Sequence, residues 1–276
     1  MEVSFEFYPP KTEKGLEKLL LTAEKFAAVK PNYFSVTFGA GGSTREHTPN
    51  TVKAIQEKTQ IPTAPHISCV SSSREALIDL LQHYKSIGVK RLVVLRGDKP
   101  SGMGIHHGGA FRYAYQLVEL IRHETGDHFH ISVAAYPETH PESKNFKDEL
   151  IHFKQKVDCG ADQAITQYFY NADAYFHFVD CCLNLGINIP IVPGIMPLTN
   201  YDNIVRFSAM CGAEIPLWIR KHCEAFGEDS AAIKQFGFEI TQNLCQTLVK
   251  GGAPGLHFYS LNQTDPSLKL YNALKR

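Results

Sequence analysis

Glu6 stands between Phe5 and Phe7 in an apolar run at the start of the chain. A carboxyl held among aromatic rings is poorly hydrated, which raises its pKa and suits it to work as a general acid. Taken alone, a glutamate in such a run serves equally well as an edge or solvent-facing residue. Other polar residues recur at the ends of short apolar runs: Thr37, His66 with Ser68, Arg96 with Asp98, Tyr136 with Glu138 and His140, Thr166 with Gln167, and Asn262 with Gln263. Each has a plain structural explanation. His66 follows Pro65 and reads as a hydrogen-bonded core histidine. Arg96-Gly97-Asp98 reads as a surface turn with a local ion pair, and Gln167 as an amide bonding a loop. Their shared position is what carries information.

The elements that must hold these residues alternate. Strand-like runs cover Val3 to Tyr8, Tyr33 to Phe38, Thr63 to Val70, Arg91 to Leu95, His130 to Tyr136, Gln163 to Tyr170, Ile189 to Ile195 and Gly255 to Leu261. Helical periodicity covers Gly15 to Lys30, Thr44 to Thr59, a segment capped among Ser71 to Ser73 and running to Ile87, Ala110 to Thr125, Lys144 to Val157, Asp173 to Leu185, Tyr201 to Met210, a long region from Leu217 to Val249, and a short terminal helix. Eight strands each followed by a helix predict parallel pairing, and a single α/β domain over residues 1 to 276 closed as a (β/α)8 TIM barrel. A doubly wound open sheet is the alternative. In such a barrel the carboxyl ends of the strands form the active face. One rim would then gather all the polar residues named above, and burying so many without a ligand would be costly.

Composition excludes several classes. The chain has 276 residues, 28 basic against 28 acidic side chains and no net charge, so neither a nucleic acid nor an anionic membrane is an expected partner. Seven scattered cysteines without a Cys-x-x-Cys pair predict a reducing compartment and no zinc ribbon. The opening strand leaves no room for a signal peptide, no apolar run reaches membrane-spanning length, and a cytoplasmic protein is expected. Gly39-Ala40-Gly41-Gly42-Ser43-Thr44 follows a strand, but Thr44 stands where a dinucleotide fingerprint needs its third glycine. Gly102 to Gly109, with His106 and His107, reads as a solvated loop or a lid. No metal-ligand spacing is present, and no assigned strand offers an interior lysine for an aldolase.

Seven segments in order resemble the methylenetetrahydrofolate reductase family: Phe5-Glu6-Phe7-Tyr8-Pro9-Pro10, Ser35-Val36-Thr37-Phe38-Gly39-Ala40, Ala64-Pro65-His66, Leu95-Arg96-Gly97-Asp98, Ala134-Ala135-Tyr136-Pro137-Glu138, Ile165-Thr166-Gln167-Tyr168-Phe169 and His257-Phe258-Tyr259-Ser260-Leu261-Asn262. The resemblance implies an FAD-containing barrel. NADH or NADPH reduces the flavin and leaves. The reduced flavin then converts 5,10-methylenetetrahydrofolate to 5-methyltetrahydrofolate in the same pocket, a ping-pong use of one site in one-carbon metabolism and methionine supply.

By matching position, the resemblance makes Glu6 the general acid that opens the methylene bridge. It sets Asp98 beside flavin and pterin, where its charge would make the reduced flavin a stronger donor. Gln167, Asn203, Phe207 and Gln263 would meet substrate or nicotinamide. For FAD the matching positions are Thr37, Phe38, Ala40, His66, Arg96, Gly97, Asp98, Tyr113, Ala114, Tyr136, His140, Ser143, Glu149, His152, Gln155 and Lys156. Arg96 and Lys156 suit a pyrophosphate as a guanidinium fork and a point charge.

Three positions depart from the family pattern. Glu149 replaces an aspartate and Gln155 a basic residue. Gln263 replaces an arginine that would face the folate's glutamate tail. No C-terminal regulatory region like that of eukaryotic members follows the barrel, so a prokaryotic-type enzyme is expected, and a homo-oligomer by resemblance. The competing expectations are a flavin-free barrel enzyme of aldolase or hydrolase type and a non-catalytic barrel subunit.

Overall fold

The structure, a computed structural model, describes residues 1–38, 47–69, 72–97 and 110–275. The elements are β1 (Glu2–Phe7), α1 (Glu13–Ala27), β2 (Tyr33–Val36), α2 (His47–Thr59), β3 (Thr63–Ser68), α3 (Arg74–Ser86), β4 (Arg91–Leu95), α4 (Ala114–Thr125), β5 (His130–Ala135), α5 (Phe146–Asp158), β6 (Gln163–Thr166), α6 (Ala172–Asn184), β7 (Ile191–Val192), β8 (Gly194–Ile195), α7 (Tyr201–Cys211), α8 (Leu217–Phe226), α9 (Ser230–Lys250), β9 (Gly255–Tyr259) and α10 (Ser267–Leu274). Helix starts follow side-chain chemistry: Thr12 caps α1 through the Gly15 N–H, and Ser73 caps α3 through the Ala76 N–H.

All strand pairs are parallel, in the order β7-β6-β5-β4-β3-β2-β1-β9-β8. β7 and β8 are two halves of one strand on either side of Pro193, so the order returns on itself and the sheet is a nearly closed (β/α)8 barrel. Proline has no N–H to give the ladder, which is why the expected single strand from Ile189 to Ile195 is split. The closure there is made in other ways. The Pro193 carbonyl accepts the His257 N–H at 3.0 Å, and the Gly194 N–H donates to Thr166 Oγ1 at 2.9 Å. A Cβ on Gly194 would lie 2.2 Å from the Thr166 carbonyl oxygen, so the backbones can approach only at glycine.

Alternation along each strand sorts its side chains. Phe5 and Phe7 point outward from β1 and pack on Phe26 of α1, with ring centroids 4.1 and 5.9 Å apart. They belong to the apolar layer between strands and helices. Ser4 and Glu6 point inward. The amino end of the barrel is plugged by a polar network in which Arg91 Nη2 lies 3.1 Å from Glu2 Oε1 and 3.2 Å from Gln163 Oε1.

Other boundaries move for local reasons. The expected Leu217–Val249 helix breaks between Phe226 and Ser230, where Gly227 adopts a φ of 55° and Asp229 caps α9. α9 then packs on α6 and α10 in the outer ring, and α7 and α8 are additions beyond the strand–helix repeat. β9 stops at Tyr259 because Leu261 and Asn262 turn through positive φ, and α4 begins at Ala114 rather than Ala110. Among the described residues no helix is long and apolar enough to cross a membrane.

Candidate active site

Strand register places Glu6 beside Ser35 of β2 and Tyr259 of β9. Its Oε2 lies 3.3 Å from His66 Nε2 and 3.5 Å from His257 Nε2. The His66 contact has ion-pair distance but not hydrogen-bond alignment. On its far side, His257 Nδ1 meets Ser4 Oγ at 2.7 Å. Ser260 donates its hydroxyl to the Glu6 carbonyl, and Asn262 bonds both backbone groups of Tyr8 at 2.9 Å. These contacts tie the loop after β9 to the end of β1 and fix the height of the carboxylate.

The surroundings of Glu6 overturn the expectation of a raised pKa. Burial does push the carboxyl up. The close contacts with the imidazoles of His257 and His66, and the charge those rings carry when protonated, outweigh it and bring the pKa to about 2. The sequence argument failed because Phe5 and Phe7 face the helices, so they do not touch the carboxyl they flank. In this structure Glu6 is an anion whose Oε2 faces two imidazoles.

A second cluster lies where β4 and β5 end. Arg96 places Nη1 2.7 Å from Glu142 Oε2, its carbonyl accepts the Ser68 hydroxyl at 2.8 Å, and Gly97 turns through a φ of 87°. Tyr136 meets the His140 ring edge-on at 4.7 Å. Helix α5 presents Glu149, His152, Gln155 and Lys156 toward this region. The buried Glu149 accepts the Ser143 hydroxyl at 2.6 Å and the His140 N–H at 3.3 Å. Its added methylene, relative to the expected aspartate, is used to reach them. Tyr113, at the start of α4 beside Ala114, stacks on His152 at 5.9 Å, and His152 Nδ1 lies 3.4 Å from Gln155 Oε1.

Lys156 donates to the Ala134 carbonyl at 2.6 Å. Burial lowers its pKa to about 8, with nearby Arg96 pushing the same way and Glu149 opposing. A buried ammonium with so little anionic compensation is suited to an incoming anion. Burial likewise lowers the pKa of His140. Arg96, Lys156 and the Tyr113–His152 stack therefore fit a flat, anionic cofactor.

The remaining expected site residues lie at the same end. Thr37 donates its N–H to the Phe7 carbonyl at 2.9 Å, with Phe38 next to it. Gln167 bonds the Ala135 carbonyl through its N–H at 2.8 Å. Helix α7, which carries Asn203 and Phe207, is tied to the end of β6 by Tyr168 Oη and Ser208 Oγ at 2.9 Å. Gln263 is exposed on the turn after β9. Ala40 and Asp98 lie outside the described residues, as do the Gly39–Thr44 segment and the Gly102–Gly109 loop.

Sequence reasoning missed Ser4, Tyr33 and His257 as parts of the site. The available signal was alternation: Ser4 shares a face with Glu6, and His257 shares one with Tyr259. Glu138 was noted but given no role. Its Oε2 accepts the Glu214 N–H at 2.8 Å, joining the loop after β5 to the turn between α7 and α8. Burial raises its pKa to about 7, and the adjacent Glu214 charge adds to this against the backbone hydrogen bond.

A glutamate with a raised folded pKa loses stability as pH climbs from its unfolded value through 7. Glu138→Gln keeps an acceptor for the N–H without the charge. Because the site is partly solvated, the expected gain is about 1 kcal/mol at pH 8, shrinking to nothing near pH 4. Urea unfolding at the two pH values reads it, and equal stability of variant and parent at pH 8 would refute the assignment.

A family model described as methylenetetrahydrofolate reductase matches residues 1–275. The chain is 38% identical over 274 residues to "5,10-methylenetetrahydrofolate reductase" of Pectobacterium carotovorum, covering 99% of this chain and 90% of that one. It is 36% identical to the protein of the same name from Escherichia coli K12, with the same coverage. Against "Methylenetetrahydrofolate reductase (NADH) 1" of Arabidopsis thaliana it is 36% identical, covering 94% of this chain and 46% of the plant one. Among solved structures, an uncharacterized Clostridium thermocellum protein described as binding two copies of 5-methyl-5,6,7,8-tetrahydrofolic acid superimposes with a TM-score of 0.71 at 15% identity, covering 99% of this chain and 93% of that one. That likeness concerns the fold.

Proposed function

The chain belongs to the methylenetetrahydrofolate reductase family, and from that membership we propose that it reduces 5,10-methylenetetrahydrofolate to 5-methyltetrahydrofolate with NADH or NADPH, using one FAD-lined pocket for both half-reactions. The observation that carries this reading is a partly buried carboxylate, Glu6, held by His66 and His257 at the carboxyl end of the strands, with Arg96 and Lys156 at the ends of neighbouring elements as the cations a dinucleotide needs. Bound FAD supplies the hydride chemistry, which no side chain of this protein can perform.

The protein's own residues bind, orient and move a proton. Arg96 and Lys156 would hold the pyrophosphate, and Glu149 would keep the His140–Ser143 turn in place beneath it. Thr37, Phe38, Ala40, Gly97, Tyr113, Ala114, Tyr136, His152 and Gln155 would complete the cradle. Gln167 would orient the pterin through its amide, Asn203 and Phe207 would cover it from α7, and Gln263 would stand near the glutamate tail. Asp98 would bias the pocket against negative charge.

Glu6 would deliver a proton to the folate nitrogen as the methylene bridge opens. Both histidines face Oε2, so the transferable proton belongs on Oε1. A pterin covering that oxygen would remove its remaining hydration and raise the carboxyl from about 2 toward the working range.

Purified protein supplied with FAD should be yellow, and NADH without oxygen should bleach it. Protein that takes up no FAD would refute the proposal.

A further inference from the structure

Helix α7 carries Asn203 and Phe207, yet little of it is embedded: of its 11 residues only Ile204 and Ser208 are buried. Its apolar support is a small cluster around Tyr168, Leu198, Ala213 and Ile215, separate from the layer between strands and helices. Its position therefore depends on specific ties. One is the bond between Tyr168 and Ser208. The others come from the loop after β5. Glu138 Oε2 accepts the Glu214 N–H at 2.8 Å, across 76 positions of sequence. Gly212 ends α7 with a φ of 77°, and it lies so close to the same loop that a Cβ there would stand 2.9 Å from Pro141 Cγ and 3.3 Å from the Thr139 carbonyl oxygen.

The other flank of this loop belongs to the cluster at the ends of β4 and β5. Tyr136 meets His140 edge-on, and the buried Glu149 accepts the His140 N–H and the Ser143 hydroxyl. Between the two flanks Thr139 turns at a φ of 75°. A residue with a side chain keeps that conformation only where its surroundings hold it. Here the surroundings are α5 on one side and the end of α7 on the other.

We propose that Glu138 is a positioning residue: with the close seat of Gly212 it couples the loop after β5 to α7, so that FAD bound on one flank of the loop steadies Asn203 and Phe207 on the other. The inference rests on the reading that Tyr136, His140 and Ser143 hold FAD and that α7 meets the substrates. Coupling of this kind needs no contact between FAD and α7. A cofactor that orders the loop lowers the freedom left to the helix end fastened to it, and a substrate that seats α7 strengthens the hold on FAD in return. A carboxylate that only satisfied the Glu214 N–H would be indifferent to FAD.

Hydrogen exchange followed by mass spectrometry over residues 208–216 separates the two. The segment contains the Glu214 N–H and the Gly212 N–H, which closes the last turn of α7 on the Ser208 carbonyl. In ligand-free protein it should exchange about tenfold faster in Glu138→Ala than in the parent, the effect of losing one charge-assisted bond. Glu138→Gln, whose amide oxygen still accepts, should exchange no faster than the parent. FAD should slow the segment about tenfold in the parent and in Glu138→Gln, and leave it unchanged in Glu138→Ala. The last turn of α3, at the opposite end of the barrel, is the reference that FAD should not alter. If Glu138→Ala does not fold, Glu138→Asp keeps the charge, falls one methylene short of the N–H and should behave as described for alanine.

Equal exchange of parent and Glu138→Ala without ligand, or equal slowing of both by FAD, overturns the proposal. Protein that takes up no FAD defeats the functional reading, and the ligand-free comparison then still decides whether Glu138 holds α7. In the loaded enzyme, Glu138→Ala should raise KM for the folate about threefold to tenfold with kcat within about twofold, and Glu138→Gln should restore it. A fall in kcat with KM unchanged would contradict a positioning role.

Discussion

Glu6→Gln should leave reduction of bound flavin by NADH within about twofold of the parent, while the folate half-reaction slows by about 10²- to 10⁴-fold. The amide is close to isosteric, and its oxygen can still accept from His257, so the local packing survives. It has no proton to give. Transfer from NADH requires no such proton, because the nicotinamide leaves as it is, whereas opening the methylene bridge does. Anaerobic stopped-flow absorbance of the flavin measures each half separately. Equal loss in both halves would mean that Glu6 maintains the pocket as a whole and is not a specific proton donor.

Lys156→Met should weaken FAD binding by roughly tenfold to a hundredfold at pH 7, the effect of losing one charge-assisted contact to a phosphate. The pH dependence discriminates further. The Lys156 pKa in the unliganded protein is lowered to about 8, and a bound phosphate favours the charged form, so binding takes up a proton. Parent affinity should therefore fall as pH rises through 8, and the variant should lose that fall, since Arg96 stays charged.

Stability should move the other way. A lysine with a depressed folded pKa costs stability below that pKa, and the cost disappears as pH rises from about 8 toward the unfolded value. The variant apoprotein should thus gain on the order of 1 to 3 kcal/mol at pH 7. Flavin fluorescence titration from pH 7 to 9.5 and urea unfolding at pH 7 check the pair. Unchanged FAD affinity with lowered stability would make Lys156 a structural residue only.

Much of this was legible in the chain because a barrel repeats a simple rule. All but one of the eight apolar runs carried a polar residue at or near its end, and the run lengths and intervening helical periods were enough to place Glu6, His66, Arg96 and Gln167 at one end. What alternation implied for neighbours was harder to see. Phe5 and Phe7 adjoin Glu6 in sequence but face α1, and the groups that set its protonation come from β3 and β9, some 60 and 251 positions away. His257 and Ser4 could not be paired without the register that closes the sheet. The break at Pro193 was foreseeable from the missing N–H, as was the turn at Gly227 to Asp229. Both fell inside runs whose hydrophobicity suggested continuity. The charge states of Lys156 and Glu138 depend on desolvation by residues distant in sequence, which composition does not encode.

The most direct test of the account mixes FAD-loaded protein, bleached with one equivalent of NADH under anaerobic conditions, with 5,10-methylenetetrahydrofolate. The yellow absorbance should return in a single turnover, with one equivalent of 5-methyltetrahydrofolate formed per flavin and the acidic limb of the rate lost in Glu6→Gln. A flavin that stays bleached, or returns to yellow with no 5-methyltetrahydrofolate, would contradict it.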